Sequence, residues 1–275
     1  MPATCAFGKF WVADPLIKRY IPPMLQHTRT RWLDNTPLLV AVTGFALGFM
    51  LWASGLDVRL QIWLHTHDHQ TFNSAMRVLG ELSMGRTQIF GLLALALLAL
   101  WRAPVPFWPM LRLGGWLIFS QTFAFLALKG WRPPWQTLPA AARPFVQAIP
   151  VLAIAGLLQV VLKCVIGRPR PKEILWNGGD PFDPRPFGFD ATFWSMPSGH
   201  STSTFAIFMW LALCFPRWRV PLLLVASVFA ASRFLAVTPH YLGDVVAGAG
   251  LGAAVALALF ATLPHSAPNR QAPHP

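Results

Sequence analysis

Seven long apolar runs pace this chain, at roughly 37–55, 87–104, 111–129, 146–166, 199–215, 220–238 and 241–263. A helix needs about 20 apolar residues to cross the hydrocarbon core of a bilayer, and most of these runs approach that length. Each reads as a candidate membrane helix. The expected fold is all-α, a polytopic membrane helical bundle with six core transmembrane helices and a seventh candidate. Composition agrees. Charged residues make up only 12% of the chain and hydrophobic residues 55%, whereas about a quarter of an ordinary soluble domain is charged. Thirteen tryptophans and 21 phenylalanines against two tyrosines suit anchoring at a membrane interface, although aromatic residues also fill cores.

The runs divide the chain into four parts. Residues 1–36 form a basic N-terminal segment, with five basic residues against two acidic, which argues for a cytoplasmic N-terminus. It lacks the apolar stretch of a cleaved signal peptide, and the first long run can act as an uncleaved anchor. Residues 37–143 hold the N-terminal membrane helices and a connector. Within them, 56–86 is mixed in polarity and could lie on the membrane as an amphipathic helix, and 130–143 is interrupted by prolines. Residues 144–263 form the third part, with a long polar loop at 167–198. The polar tail 264–275 is expected to be disordered.

The net charge of +12 flanks apolar segments instead of gathering on one soluble face. That suits anionic headgroups or phosphate better than nucleic acid, for which no motif is present. Cys5, Cys164 and Cys214 give neither a disulfide framework nor a CxxC metal pattern.

Three polar clusters interrupt the greasy second half: KCVIGRPRP at 163–171, SMPSGHSTS at 195–203 and SRFLAVTPHYLGD at 232–244. An ionisable residue among membrane helices is by default a functional one. A loop with no span joins the first cluster to the second, and two spans, 199–215 and 220–238, carry the chain across and back to the third, so all three reach the same membrane face. In the first, Lys163 could share a helix face with Arg170 if the helix ran on, but Pro169 and Pro171 favour an earlier end. Arg168 is a rival partner, and cations here could simply reach lipid headgroups. In the second, Pro197 and Gly199 suit a turn into a helix whose free N–H groups would attract an anion. Ser198 could be its N-cap, and His200 a structural histidine. In the third, His240 and Asp244 are four apart and would share a face on a helix starting after Pro239. The carboxylate would fix one imidazole tautomer and free the other nitrogen as nucleophile or base, with Arg233 close by. A buried structural pair is the plainer reading. Together, three cations and two histidines ask for a phosphate and offer a nucleophile and an acid.

In order and spacing, K-x6-R-P at Lys163, Arg170 and Pro171, P-S-G-H at 197–200 and S-R-x5-H-x3-D at 232–244 closely resemble the three signatures of the type 2 phosphatidic acid phosphatase/vanadium haloperoxidase superfamily. The resemblance covers about 145–263. It implies an integral-membrane lipid phosphatase that works through a phosphohistidine. His240 would attack phosphorus, Asp244 would orient it, and His200 would protonate the leaving group and then activate water. Lys163, Arg170, Ser198, Gly199 and Arg233 would hold the phosphoryl oxygens; the family spacing selects Arg170 over Arg168. No metal and no other cofactor is implied for the hydrolases. The expected partners are a phosphorylated membrane lipid and the bilayer, with the active site on the extracytoplasmic face of a bacterial inner membrane. The long Phe-rich loop before His200 looks most like the lipid A 1-phosphatase-like branch. Six-span members place two spans before the Lys-bearing helix, and here there are three candidates.

The rival readings are a lipid-linked phosphotransferase using the same site, a vanadate-dependent haloperoxidase and a non-catalytic scaffold. Three further patterns read as decoys. GAGLGA at 248–253 mimics a dinucleotide loop but sits in an apolar run, where Gly248 and Gly252 suit a close helix contact. HTHDH at 65–69 reads as a water-facing patch more than a metal site. Lys129, Arg132 and Pro133 copy the first signature with no histidine cluster after them.

Overall fold

The computed structural model describes residues 23–101 and 138–262, apart from Ser83, Ala140 and Thr238. The apolar run 111–129, the decoy at 129–133 and the tail from 264 onward lie outside the described residues. Every described element is helical. In chain order they are α1 (Pro23–Ala53), α2 (Leu56–Thr66), α3 (Gln70–Leu82), α4 (Gly85–Trp101), α5 (Arg143–Ile166), α6 (Pro171–Asn177), α7 (Gly199–Cys214), α8 (Arg219–Leu235) and α9 (Leu242–Thr262), with short 3-10 turns at Ala191–Phe193 and Pro216–Trp218. The chain divides into two compact units at Thr36/Pro37, and the second, Pro37–Pro275, carries all three polar clusters.

Four described stretches are long and apolar enough to cross a membrane: Asn35–Ala53, Arg143–Ile166, Pro216–Leu235 and Leu242–Thr262. Helix α4 holds a shorter apolar stretch, Thr87–Ala96, and α7 has 16 residues. The outward faces of these helices are apolar. Leu38 and Val42 of α1, Leu157 and Val161 of α5, and Leu224 and Val228 of α8 are each exposed. Apolar surface on this scale would associate in water, and in a bilayer it meets acyl chains.

Helix α7 is the centre of the bundle and packs against α5, α8 and α9. Ile207, Trp210 and Leu211 are buried with Ala148, Val151, Leu152 and Ala155 of α5 and Leu251, Val255 and Ala256 of α9. At Gly248 and Gly252 the seam between α7 and α9 brings backbone against backbone. A Cβ on Gly248 would sit 2.5 Å from the Ser198 carbonyl oxygen, and one on Gly252 would collide with the Thr202 carbonyl. Without a hydrophobic driving force between helices in lipid, this close approach lets dispersion and backbone contacts hold the pair. The expected helix contact of the GAGLGA stretch is thus where the structure puts it.

The connector 56–86 is two helices, not one. Leu56–Thr66 ends at His67 and the chain restarts at Gln70. Residues His65 to His69 are exposed at this break. Helix α3 then packs against α8.

Candidate active site

Helix α5 brings Lys163 to its last turn and stops three residues later, at Ile166, where the C-cap Gly167 takes the left-handed conformation (φ 62°). A side chain there would strike the Arg185 carbonyl, because the loop folds back so that the Arg185 N–H reaches the Gly167 oxygen at 2.8 Å. Glycine meets both demands. The early helix end means that Lys163 and Arg170 do not share a helix. Arg170 instead caps the start of α6. Its Nε donates to the Ala191 carbonyl at 3.0 Å. Lys163 is buried, and its ammonium donates to the Trp194 carbonyl at 2.5 Å. Both cations are therefore tied to the loop that leads into α7.

Ser198 occupies the N-cap position of α7, but its side chain makes no capping bond. Its Oγ accepts from Ser201 Oγ at 3.1 Å, and its backbone N–H donates to the Asp244 carbonyl at 2.9 Å. The first turns of α7 and α9 are thereby fastened together. Gly199 faces Gln159 of α5, whose Oε1 would lie 3.0 Å from a Cβ placed there. His200 is in the first turn, and its Nε2 has no hydrogen-bond partner among the described residues. Arg233 ends α8, is buried, and lies so close to Gly80 of α3 that a side chain at 80 would collide with the guanidinium. Glu81 adds an attractive charge beside Arg233.

His240 and Asp244 meet differently from the expected helix face. Helix α9 begins at Leu242, so His240 lies in the preceding loop. The physical reason is Asp244 itself, the third residue of α9. Its Oδ2 accepts from the Tyr241 N–H at 2.9 Å, the reciprocal bond of a capping box, which sets the helix start after Tyr241. The same oxygen accepts from Ser195 Oγ at 2.5 Å. His240 Nδ1 lies 3.6 Å from it, in ion-pair range but too long for a hydrogen bond. Nε2 is the ring nitrogen on the far side from the carboxylate. Burial pushes the His240 imidazole down to about 3, with Asp244 opposing the shift and Lys163 and Arg170 adding to it. The ring is neutral at pH 7, with a free lone pair, as a nucleophile must be.

His200 feels the charges of Arg233, His240, Lys163 and Arg170 together. Those residues thus lie within electrostatic reach of His200, with Ser198 and Gly199 at the adjoining helix start. Arg168, the rival in the first cluster, does something else. It is fully buried and donates to Asp244 Oδ1 at 2.8 Å and to Asp57 Oδ2 at 3.0 Å. Its guanidinium carbon lies 4.7 Å from the Trp52 ring centroid and 4.1 Å from that of Tyr241. Two carboxylates and two ring faces occupy it.

Four contributors escape a reading of the sequence. Ser195 lies inside the second cluster, where its hydroxyl could have been paired with Asp244. Tyr241 adjoins His240. Asp57 and Trp52 come from the N-terminal half, and the partners of Asp57 are more than 100 residues away in sequence. Among the described residues, no group of three or more His, Cys, Asp and Glu side chains could hold a metal ion.

Residues 144–267 match the family model of the PAP2 superfamily. The lipid A 1-phosphatase of Rhizobium etli is 42% identical over 101 residues, 37% of this chain and 42% of that protein. The lipid A 1-phosphatase of Rhizobium johnstonii is 41% identical over 102 residues, 37% of this chain and 41% of that protein. The chain spans about two fifths of the length of these relatives. Among solved structures, a transmembrane PAP2-type phosphatidylglycerolphosphate phosphatase from Bacillus subtilis aligns at 18% identity and a TM-score of 0.48, covering 83% of this chain and 94% of that one. The match to the PAP2 superfamily model thus runs from the start of α5 to beyond the end of α9 and takes in all three polar clusters.

Proposed function

We propose that this protein is an integral-membrane lipid phosphatase that hydrolyses a phosphomonoester or pyrophosphate on a membrane lipid without a metal ion. The observation that carries the reading is the meeting of Lys163, Arg170 and Arg233 with two histidines beside the N-terminus of α7. Three cations and free helix N–H groups complement a polyanion. Asp57 and Asp244 are both engaged by Arg168 and Glu81 sits beside Arg233, so each nearby carboxylate is matched to an arginine and the donor set suits phosphate and not a hard cation.

His240 Nε2 attacks phosphorus. A P–N bond forms as the P–O bond to the lipid breaks, and His200, protonated alongside the incoming phosphate whose negative charge offsets the surrounding cations, gives its proton to the departing alkoxide. Water then attacks the phosphohistidine, losing its proton to His200. The P–N bond breaks, and inorganic phosphate leaves. The Asp244 carboxylate, 3.6 Å from Nδ1, favours the proton on that nitrogen by charge attraction, closes to a hydrogen bond as positive charge develops, and favours the cationic ring once phosphorus is attached.

The relatives named for lipid A support an anomeric phosphate on a glycolipid as the first substrate to try. Undecaprenyl pyrophosphate, phosphatidylglycerophosphate and phosphatidate come next. We place the site at the extracytoplasmic face of a bacterial inner membrane, in a bundle of six core spans. The test is phosphate release from this panel by purified protein in detergent with EDTA present. Activity in EDTA that vanadate inhibits is expected. Activity lost on chelation and restored by Mg²⁺ would overturn the metal-free mechanism. Label transferred from the lipid to a second lipid or sugar instead of water would identify a phosphotransferase.

A further inference from the structure

Asp57 lies outside the matched segment, in the first turn of α2, in the half of the chain that sequence characterises by hydropathy alone. It is fully buried. Its Oδ2 accepts from Arg168 Nη2 at 3.0 Å, and the main chain at Gly243 packs against the same carboxylate. Gly243 directly precedes Asp244 and has no space for a side chain. A Cβ there would lie 2.8 Å from Asp57 Oδ2 and 3.3 Å from Arg168 Nη1.

A buried carboxylate is costly. Arg168 would already be neutralised by Asp244 alone, so the second carboxylate is not needed for charge balance. It adds direction. With one arm of the guanidinium fixed by Asp57, the other meets Asp244 Oδ1 in a single orientation. That leaves Asp244 Oδ2 for Ser195, the Tyr241 N–H and His240. Asp57 also packs against the backbone one residue before Asp244.

We infer that Asp57 is a positioning residue for the reaction, acting through Arg168 and Gly243 to hold Asp244 and, through it, the ring of His240. The inference rests on the proposed role of His240 as nucleophile.

Asp57→Asn tests it, because the substitution preserves shape and leaves Arg168 paired with Asp244. The expected result is a fall in kcat of about 10–100-fold, in line with the sensitivity of attack geometry to small displacements. KM and vanadate inhibition should barely move, since no phosphate-binding cation is altered. Asp57→Asn combined with Asp244→Asn should be no worse than Asp244→Asn alone, the mark of two residues acting as one unit. By ¹⁵N NMR, His240 should hold one Nδ1–H tautomer in the wild type and a mixture in Asp57→Asn. A folded Asp57→Asn protein with wild-type kcat, losses that multiply in the double variant, or an unchanged tautomer would overturn the inference. If Asn does not fold, Asp57→Glu keeps the charge and misplaces it by one methylene, and the same quantities are read. A wild type that releases phosphate from no lipid, with the tautomer still disturbed by Asp57→Asn, defeats the proposed function and leaves the positioning role standing.

Discussion

Arg168 donates to Asp244 across 2.8 Å, and neither side chain is reached by solvent. Two residues on, Arg170 is half-buried, donates to the Ala191 carbonyl and lies within electrostatic reach of both histidines. Neighbouring arginines of one signature thus have different partners, and their removal should fail in different ways.

Arg168→Ala leaves two buried carboxylates without their cation. Breaking a buried pair typically costs about 3–5 kcal/mol, so the protein should unfold at markedly lower temperature or accumulate poorly. Arg170→Ala should fold normally and lose about 10²–10³-fold in kcat/KM, the size of one lost oxyanion contact. Thermal midpoints in detergent and phosphate-release kinetics separate the two. Equal stability of the two variants would refute the division of labour.

Replacement of the two histidines should also differ in kind. His240→Ala should abolish turnover and every trapped phosphoenzyme. His200→Ala removes the acid and base but leaves the nucleophile. Activated esters with good leaving groups should still label it, and acid-labile, base-stable phosphate should accumulate. Label on quenched His240→Ala protein would show that the roles have been assigned wrongly.

Protonation of His240 should act on stability with a definite sign. The folded ring is held near 3 by burial, while an unfolded histidine titrates near 6.5. Between those values the unfolded chain binds a proton that the folded chain refuses, so stability falls as pH falls below about 6.5. The limit is about 1.4 kcal/mol per pH unit. Thermal midpoints measured from pH 7 to pH 4.5 should fall more steeply for the wild type than for His240→Asn. Parallel slopes would mean that the ring is not shielded as the structure has it.

Gly252→Val tests the seam between α7 and α9. Its side chain would meet the Thr202 carbonyl, which is backbone and cannot rotate aside. A destabilisation at the upper end of the roughly 1–3 kcal/mol usual for overpacking is expected, read as a lower thermal midpoint. Gly156→Val on α5, where an added Cβ meets nothing within 4 Å, should be tolerated. A stable Gly252→Val would show that the helices are not in backbone contact.

The parts of this site that sequence reveals are those whose chemistry is local. Lys163, Ser198, His200, Arg233 and His240 all stand at the ends of apolar runs, where charge is expensive enough to be conspicuous. What stays hidden depends on distance or on competition. Asp57 reads as an ordinary polar residue of a mixed helix, with Arg59 two positions on, because its partner is 111 residues away. His240 and Asp244 carry helical spacing, yet the helix begins after Tyr241, because the carboxylate that seemed to serve the histidine also satisfies the Tyr241 N–H. Arg168 and Arg170 are indistinguishable by composition. The left-handed turn at Gly167 sends one inward and leaves the other at the site.

The close backbone approach of α7 and α9 at Gly248 and Gly252 separates two engineering problems. The distance between His200 and His240 is set by main-chain contact at Gly248 and Gly252 and by the bond from Ser198 to Asp244. The leucines and valines on the outer faces of α5 and α8 take no part in it. Those faces can be rewritten in polar residues to carry the molecule into water, and the geometry between the two imidazoles should survive the change of solvent.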